Sequence, residues 1–254
     1  MTTRPWEIAG ATWAGIRDAK YEVAILPWGA TEAHNTHLPY ATDSIQSERV
    51  ALEAARLAWE GGAKVVVLPT IPFGVQTGQR ELPLCVNLDP STQGLILRDV
   101  ATTVAGAGVR KLVLLNGHGG NDFKQAIREL QGVIDLLICQ VHWYQVVDPR
   151  PYFVAPGDHA GELETSLMLH LAPDLVAPLS TAGPGKARTN KVKAFAEGWA
   201  WTPRRWVAVT DDTGVGDPSH ATAAKGAEYF TAVTTKLAGF LGELAAVDPA
   251  SMYE

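Results

Sequence analysis

Apolar positions along the chain follow two alternating rhythms. Short aliphatic or β-branched runs occupy residues 23–26, 64–68, 111–115, 136–141 and 206–209, each too short for a helix and too apolar for an edge strand. Between them, apolar residues recur at spacings of three and four over residues 44–60, 92–107, 122–132, 162–171 and 222–244, the spacing of helices with one buried face. Strand alternating with helix predicts a three-layer α/β/α fold with a mostly parallel central sheet covered on both faces.

Boundary residues agree with this division. Asp89-Pro90-Ser91 is a helix-opening sequence, and Gly61-Gly62 and Gly106-Ala107-Gly108 close two helices just before the next strands. The connections lengthen at residues 73–89 and 173–205, where Gly, Pro and scattered charges replace periodicity, as in lids or subunit contacts. No repeat or composition break divides the chain, so residues 1–254 are expected to form one domain.

Composition narrows the function classes. The 254 residues include 21 basic and 27 acidic side chains, a formal net charge of −6, with 46% apolar residues. Disorder is excluded, and dispersed cations leave no basic face for a nucleic acid. No apolar stretch approaches the roughly 18 residues of a membrane span, and the first ten residues lack a signal-peptide core. A cytoplasmic protein acting on a small molecule is expected. Cys85 and Cys139 form no C-x-x-C pair, which argues against a zinc knuckle or a disulfide scaffold.

In a parallel sheet, ligands bind beyond the carboxyl ends of the strands, so the residues after each apolar run carry the chemistry. After 23–26 come Glu32, His34, His37 and Asp43; after 111–115 comes His118 in the turn NGHGGND; after 136–141 come His159, Glu162 and Glu164. Carboxylates and imidazoles without thiolates suit zinc, manganese or a related divalent ion. Glu32 and His34, two apart, diverge on a helix but can approach one centre from an irregular loop. Asp43 is the candidate bridge between two ions.

Each element also has a plainer explanation. Glu32 could be a solvated loop charge, and Asp43-Ser44 an N-cap for the following helix. His142 and His170, each alone, read as packed or surface imidazoles. The Gly-His-Gly-Gly turn could hold a phosphate at a helix N-terminus, but no Lys-Ser/Thr follows and the glycines do not fit G-x-G-x-x-G.

Together the three clusters resemble the creatininase family of metal-dependent amidohydrolases. Its E-x-H-x-x-H-L-P-x-x-x-D block falls within residues 29–43, its N-G-H-x-x-N block is Asn116 to Asn121, and its H-A-G-x-x-E-T-S block is His159 to Ser166. The resemblance spans roughly residues 20 to 240. It implies two divalent ions, zinc and/or manganese with iron as an alternative, one held by Glu32, Asp43 and His118, the other by His34, Asp43 and Glu164. It further implies a nucleophilic water between them, a proton-shuttling His159, a supporting His37 and a homo-oligomer, a hexamer. Gln76, Gln79, Arg80 and Asn121 are further candidates for supporting the ligands or meeting substrate.

Two departures from creatininase itself bear on substrate. Gly120 stands where creatininase has a glutamate at its active centre, and Ala155 where it has a tryptophan covering the substrate. The resemblance therefore implies hydrolysis of a C–N bond in a small cyclic amide or formamide other than creatinine. Other branches act on formamides of pyrimidine nucleotides, on the C-terminal end of a peptide cofactor precursor, and on cyclic keto-inositol compounds. The alternatives are opening of a cyclic ketone or lactone, and a non-catalytic metabolite-binding relative. Arg80, Lys191 and Lys193 could meet an anionic group or remain solvated. Trp199, Trp201 and Trp206 suit a lid or a subunit interface.

Overall fold

The computed structural model describes residues 4–253. Four strands, β1 (Val23–Trp28), β2 (Val65–Val67), β3 (Lys111–Asn116) and β4 (Leu137–His142), form one parallel sheet in the order β2-β1-β3-β4. The helices are α1 (Trp13–Ile16), α2 (Thr42–Glu60), α3 (Pro90–Gly106), α4 (Lys124–Leu130), α5 (Glu162–Leu171), α6 (Lys193–Ala196), α7 (Trp206–Val209) and α8 (Ala223–Ala246).

The two-residue period of the strands divides the core into two halves. Val23, Ile25, Val65, Val67, Val113 and Leu115 pack against α2, α5 and α8. The intervening residues Ala24, Leu26, Trp28, Val66, Leu112 and Leu114 pack against Leu97, Ala101 and Val104 of α3 and Leu130 of α4. β1, β2 and β3 are buried from both sides because helices cover both faces, which is why they read as continuous apolar runs, while the edge strand β4 is partly exposed along its whole length. Gly62 ends α2 in the left-handed conformation (φ +100°), and Asp89 and Pro90 open α3. The Asp89 carboxylate does not cap that helix; it accepts from Arg80 and Asn87.

One strand expectation fails. Residues 206–209 form the single turn α7, and the described sheet ends at β4. A run of four apolar residues does not distinguish strand from buried turn by pattern alone. Here Trp206 is buried and donates its indole N–H to the Thr213 carbonyl, while Val207 is exposed, so the segment packs by one side chain.

The register sets the site. Trp28 lies opposite Asn116 at the carboxyl ends of β1 and β3, so the loops carrying Glu32 and His118 start side by side. The two long connections meet nearby: a Cβ on Gly78 would lie 1.9 Å from the Arg204 carbonyl oxygen, and Arg205 pairs with Glu81.

Candidate metal centre

Glu32, His34, Asp43, His118, His159 and Glu164 come together at this end of the sheet; all but the partly exposed Glu164 are buried. Three trios offer donor atoms within 4.8 Å of one another: Glu32, Asp43 and His118; His34, Asp43 and Glu164; and Glu32, His34 and His159. The first two share Asp43.

Asp43 is the second residue of α2 and turns inward from its first turn, where the N-terminal dipole favours a carboxylate. It does not act as the N-cap, a position held by Ala41. Its Oδ1 lies 3.0 Å from His34 Nε2 and its Oδ2 3.0 Å from His118 Nδ1. Glu32 Oε1 lies 2.8 Å from His118 Nδ1, 3.8 Å from His159 Nδ1 and 4.0 Å from His34 Nε2.

The opposite nitrogen of each ring is tied to the backbone. His34 Nδ1 donates to the Glu32 carbonyl (3.1 Å), His118 Nε2 to the Val75 carbonyl (2.9 Å) and His159 Nε2 to the Ala33 carbonyl (2.7 Å). In the neutral rings these bonds leave His34 Nε2, His118 Nδ1 and His159 Nδ1 as lone pairs facing carboxylate oxygens. Asp43 Oδ2 is buried and makes no hydrogen bond despite its distance from His118. Lone pairs converging on lone pairs are stable only around positive charge, so this donor set fits divalent ions, with backbone carbonyls fixing the tautomers.

Without ions, protons must supply that charge. Burial alone would lower His34, but Asp43, Glu164 and Glu32 together outweigh it and raise the ring to about 10; His118 is likewise driven down by burial and, more strongly, up by Glu32 and Asp43. Burial would raise Asp43, yet the two histidines hold it well below the usual carboxylate range. Glu164 is raised by burial to about 7. His159 differs: burial, then His34, lowers it. Its ring lies against His34, tilted by 34° (4.2 Å between centroids), and meets Trp206 edge-on (5.1 Å).

Gly120 has a geometric reason. A Cβ there would fall 2.1 Å from the Val75 carbonyl oxygen and 2.5 Å from His118 Nε2, in the path of the bond that orients His118. Asn121 steadies the same carbonyl's residue: its Oδ1 accepts from Val75 N–H and Gln93, and its amide donates to Asn116. Asn116 in turn brackets His118 through the backbone on both sides.

The other sequence candidates separate. Gln79 donates to Glu32 Oε2 and so supports a centre residue. His37 bonds Thr165 through Nε2, and burial lowers it to about 4. Gln76 faces away, bridging the Thr31 and Val86 carbonyls, and Arg80 is exposed and paired with Asp89. Glu162, adjacent to the cluster in sequence, is fully buried against Lys225 Nζ and Ala155 N–H. Cys85, Val75, Ala33 and Thr165 were not visible beforehand. Two of them act through backbone groups, which no side-chain pattern reports.

The chain matches the creatininase family, described as creatinine amidohydrolase, over residues 9–241. It is 30% identical over 235 residues to a mycofactocin precursor peptide peptidase of Mycobacterium tuberculosis, covering 89% of this chain and 87% of that protein. A crystal structure from Bacteroides fragilis, whose name as a creatinine amidohydrolase is provisional, superposes with a TM-score of 0.94 at 44% identity, over 99% of this chain and 100% of that one. A manganese form of creatininase shares the fold, with a TM-score of 0.77 at 24% identity over 96% of this chain and 100% of that one.

Proposed function

This chain belongs to the creatininase family, whose members are metal-dependent hydrolases, and we propose that it is a dinuclear amidohydrolase. The observation that carries the reading is the division of Asp43 between two trios, one oxygen toward His118 and one toward His34. Glu32, Asp43 and His118 would hold one ion, and His34, Asp43 and Glu164 the other; zinc and manganese suit these donors, and iron is an alternative. When bound, two such ions supply the acidity that makes water a nucleophile near neutral pH and the polarisation of a carbonyl.

The chain's own groups supply the proton transfer and the orientation. His159 keeps Nε2–H on the Ala33 carbonyl, so Nδ1 is the atom free to accept a proton and return it to a departing nitrogen. Its lowered pKa leaves it neutral and ready to accept at pH 7. The tilted ring contact with His34 and the edge contact with Trp206 restrict the ring to that orientation. Val75 and Asn121 hold His118, and Gln79 holds Glu32.

The substrate is a small cyclic amide or formamide. Ala155 and Gly120, small where creatininase carries larger groups, weigh against creatinine. The name of the Mycobacterium tuberculosis relative favours a second reading, cleavage near the end of a peptide. Among the described residues no helix is long and apolar enough to cross a membrane. We place the enzyme in the cytoplasm as a homohexamer; exposed Trp199 (75%) and Trp201 (83%) support a subunit contact. The test is turnover by zinc- or manganese-loaded protein against cyclic amides, N-formyl compounds, short peptides, cyclic ketones and lactones. Hydrolysis of a C–N bond in one of the first three, read as ring opening of a cyclic amide, formate from an N-formyl compound or an amino acid from a peptide, supports the proposal. Turnover confined to ketones or lactones contradicts it.

A further inference from the structure

We propose that Gln79 and Cys85 form a positioning pair that selects which oxygen of Glu32 is offered to the ion, an inference resting on the two-ion reading above. Gln79 closes the turn Thr77–Gln79 in the long connection after β2 and is 3% exposed. Its Nε2 donates to Glu32 Oε2. Its Oε1 accepts the Cys85 S–H (3.3 Å), and Cys85 Sγ accepts the Ala33 N–H (3.3 Å).

The direction of this chain matters. An amide side chain presents a donor at one end and an acceptor at the other and can flip by half a turn. Flipped, Gln79 would set its oxygen against the Glu32 carboxylate and leave the thiol with no acceptor. The Cys85 S–H therefore reinforces the orientation in which Oε2 is occupied. Oε1 remains, and it is the oxygen that faces His118, His159 and His34.

The same thiol reaches the proton-transfer residue. Ala33 is held at both ends of its backbone, its N–H by Cys85 and its carbonyl by His159 Nε2. The Ala33 main chain thus links the thiol to the group that fixes the His159 ring. Gln79 and Cys85 act through Glu32 and Ala33 and touch no reacting atom.

The test is ion affinity of the full-length, metal-stripped protein, measured by competition with a chromogenic chelator using zinc and manganese separately. Groups that orient metal ligands typically change affinity by about 10–100-fold when removed. Gln79→Leu is expected to weaken one of the two ions by that factor and the other by less than about threefold. Cys85→Ala is expected to weaken the same ion several-fold, and Cys85→Ser, which keeps a donor, to restore it. Folded Gln79→Leu with both affinities within about threefold of wild type overturns the inference while leaving the two-ion centre intact. If Gln79→Leu does not fold, unchanged affinity in Cys85→Ala overturns it. Wild-type protein that binds neither ion overturns the two-ion reading, and this inference with it.

Discussion

His34 Nε2 and Asp43 Oδ1 face each other at 3.0 Å while the opposite ring nitrogen, Nδ1, is committed to the Glu32 carbonyl at 3.1 Å. A neutral His34 would therefore set a lone pair against a carboxylate. Either a proton on Nε2 or a cation beside it removes that repulsion, so proton and metal compete for one place. The rest of the centre follows the same logic, with backbone carbonyls deciding which nitrogen each ring turns inward.

The competition predicts a pH signature. With His34 raised from an ordinary 6.5 to about 10, the metal-free protein carries the proton at pH 7, so metal binding releases protons and tightens as pH rises toward 10. The raised pKa also stabilises the metal-free fold fully below 6.5, a contribution lost as pH climbs through about 10. Titration calorimetry in buffers of different ionisation enthalpy should show proton release at pH 7. Thermal unfolding should show the metal-free protein losing stability over that window and the loaded protein losing less. Binding with no proton release would remove this account of His34.

His159 is tested by removing its ring. His159→Ala is expected to keep both ions and to lower kcat by about 10²–10⁴-fold. Loss of an ion in this variant would instead make His159 a ligand, as its trio with Glu32 and His34 permits. Retention of most activity would contradict His159 as the obligatory acid for a departing nitrogen.

Gly120 is tested by adding one methyl group. Gly120→Ala places a carbon against the Val75 carbonyl and His118 Nε2, so His118 must rotate or the loop must shift. An affinity loss of about 10–100-fold for an ion is expected. Unchanged affinity would mean that the His118–Val75 bond does not set the ring.

Glu162 belongs to the scaffold. Its carboxylate is fully buried, and Lys225 Nζ lies 2.5 Å from Oε1. Removing the cation leaves an uncompensated buried charge, so Lys225→Ala should destabilise by about 3 kcal/mol. At about 2–4 °C per kcal/mol for a chain of this size, Tm should fall by about 6–12 °C, with metal content unchanged. Adding Glu162→Gln should recover part of the loss. A Tm within about 1 °C of wild type would show that the pair is not holding α8 to α5.

Much of this was legible in the chain because the same residues serve two constraints. Strands buried from both sides must be apolar throughout, so β1, β2 and β3 stood out. A metal centre needs carboxylates and imidazoles at strand ends, so the six residues of the candidate centre were visible as types at places. Orientation was not visible. Asp43 reads equally well as an N-cap until the helix is seen to begin at Thr42 with the carboxylate turned inward. Glu162 and Glu164 are alike in composition alone; the family motif singles out Glu164, and the position of Lys225, 63 residues away, shows what holds Glu162. Trp206 to Val209 misled because four apolar residues satisfy either a strand or one helical turn. Arg80 lies exposed beside Asp89, a pairing that its neighbours in sequence do not announce.

The sharing of Asp43 is tested most directly by counting ions. Elemental analysis of untagged protein purified without chelator should find about two divalent ions per chain, and Asp43→Ala, folded by circular dichroism, should lose both together. An Asp43→Ala protein that keeps one ion at wild-type affinity, or wild-type protein that takes up fewer than about half an ion after zinc and manganese are added, would contradict the bridged centre.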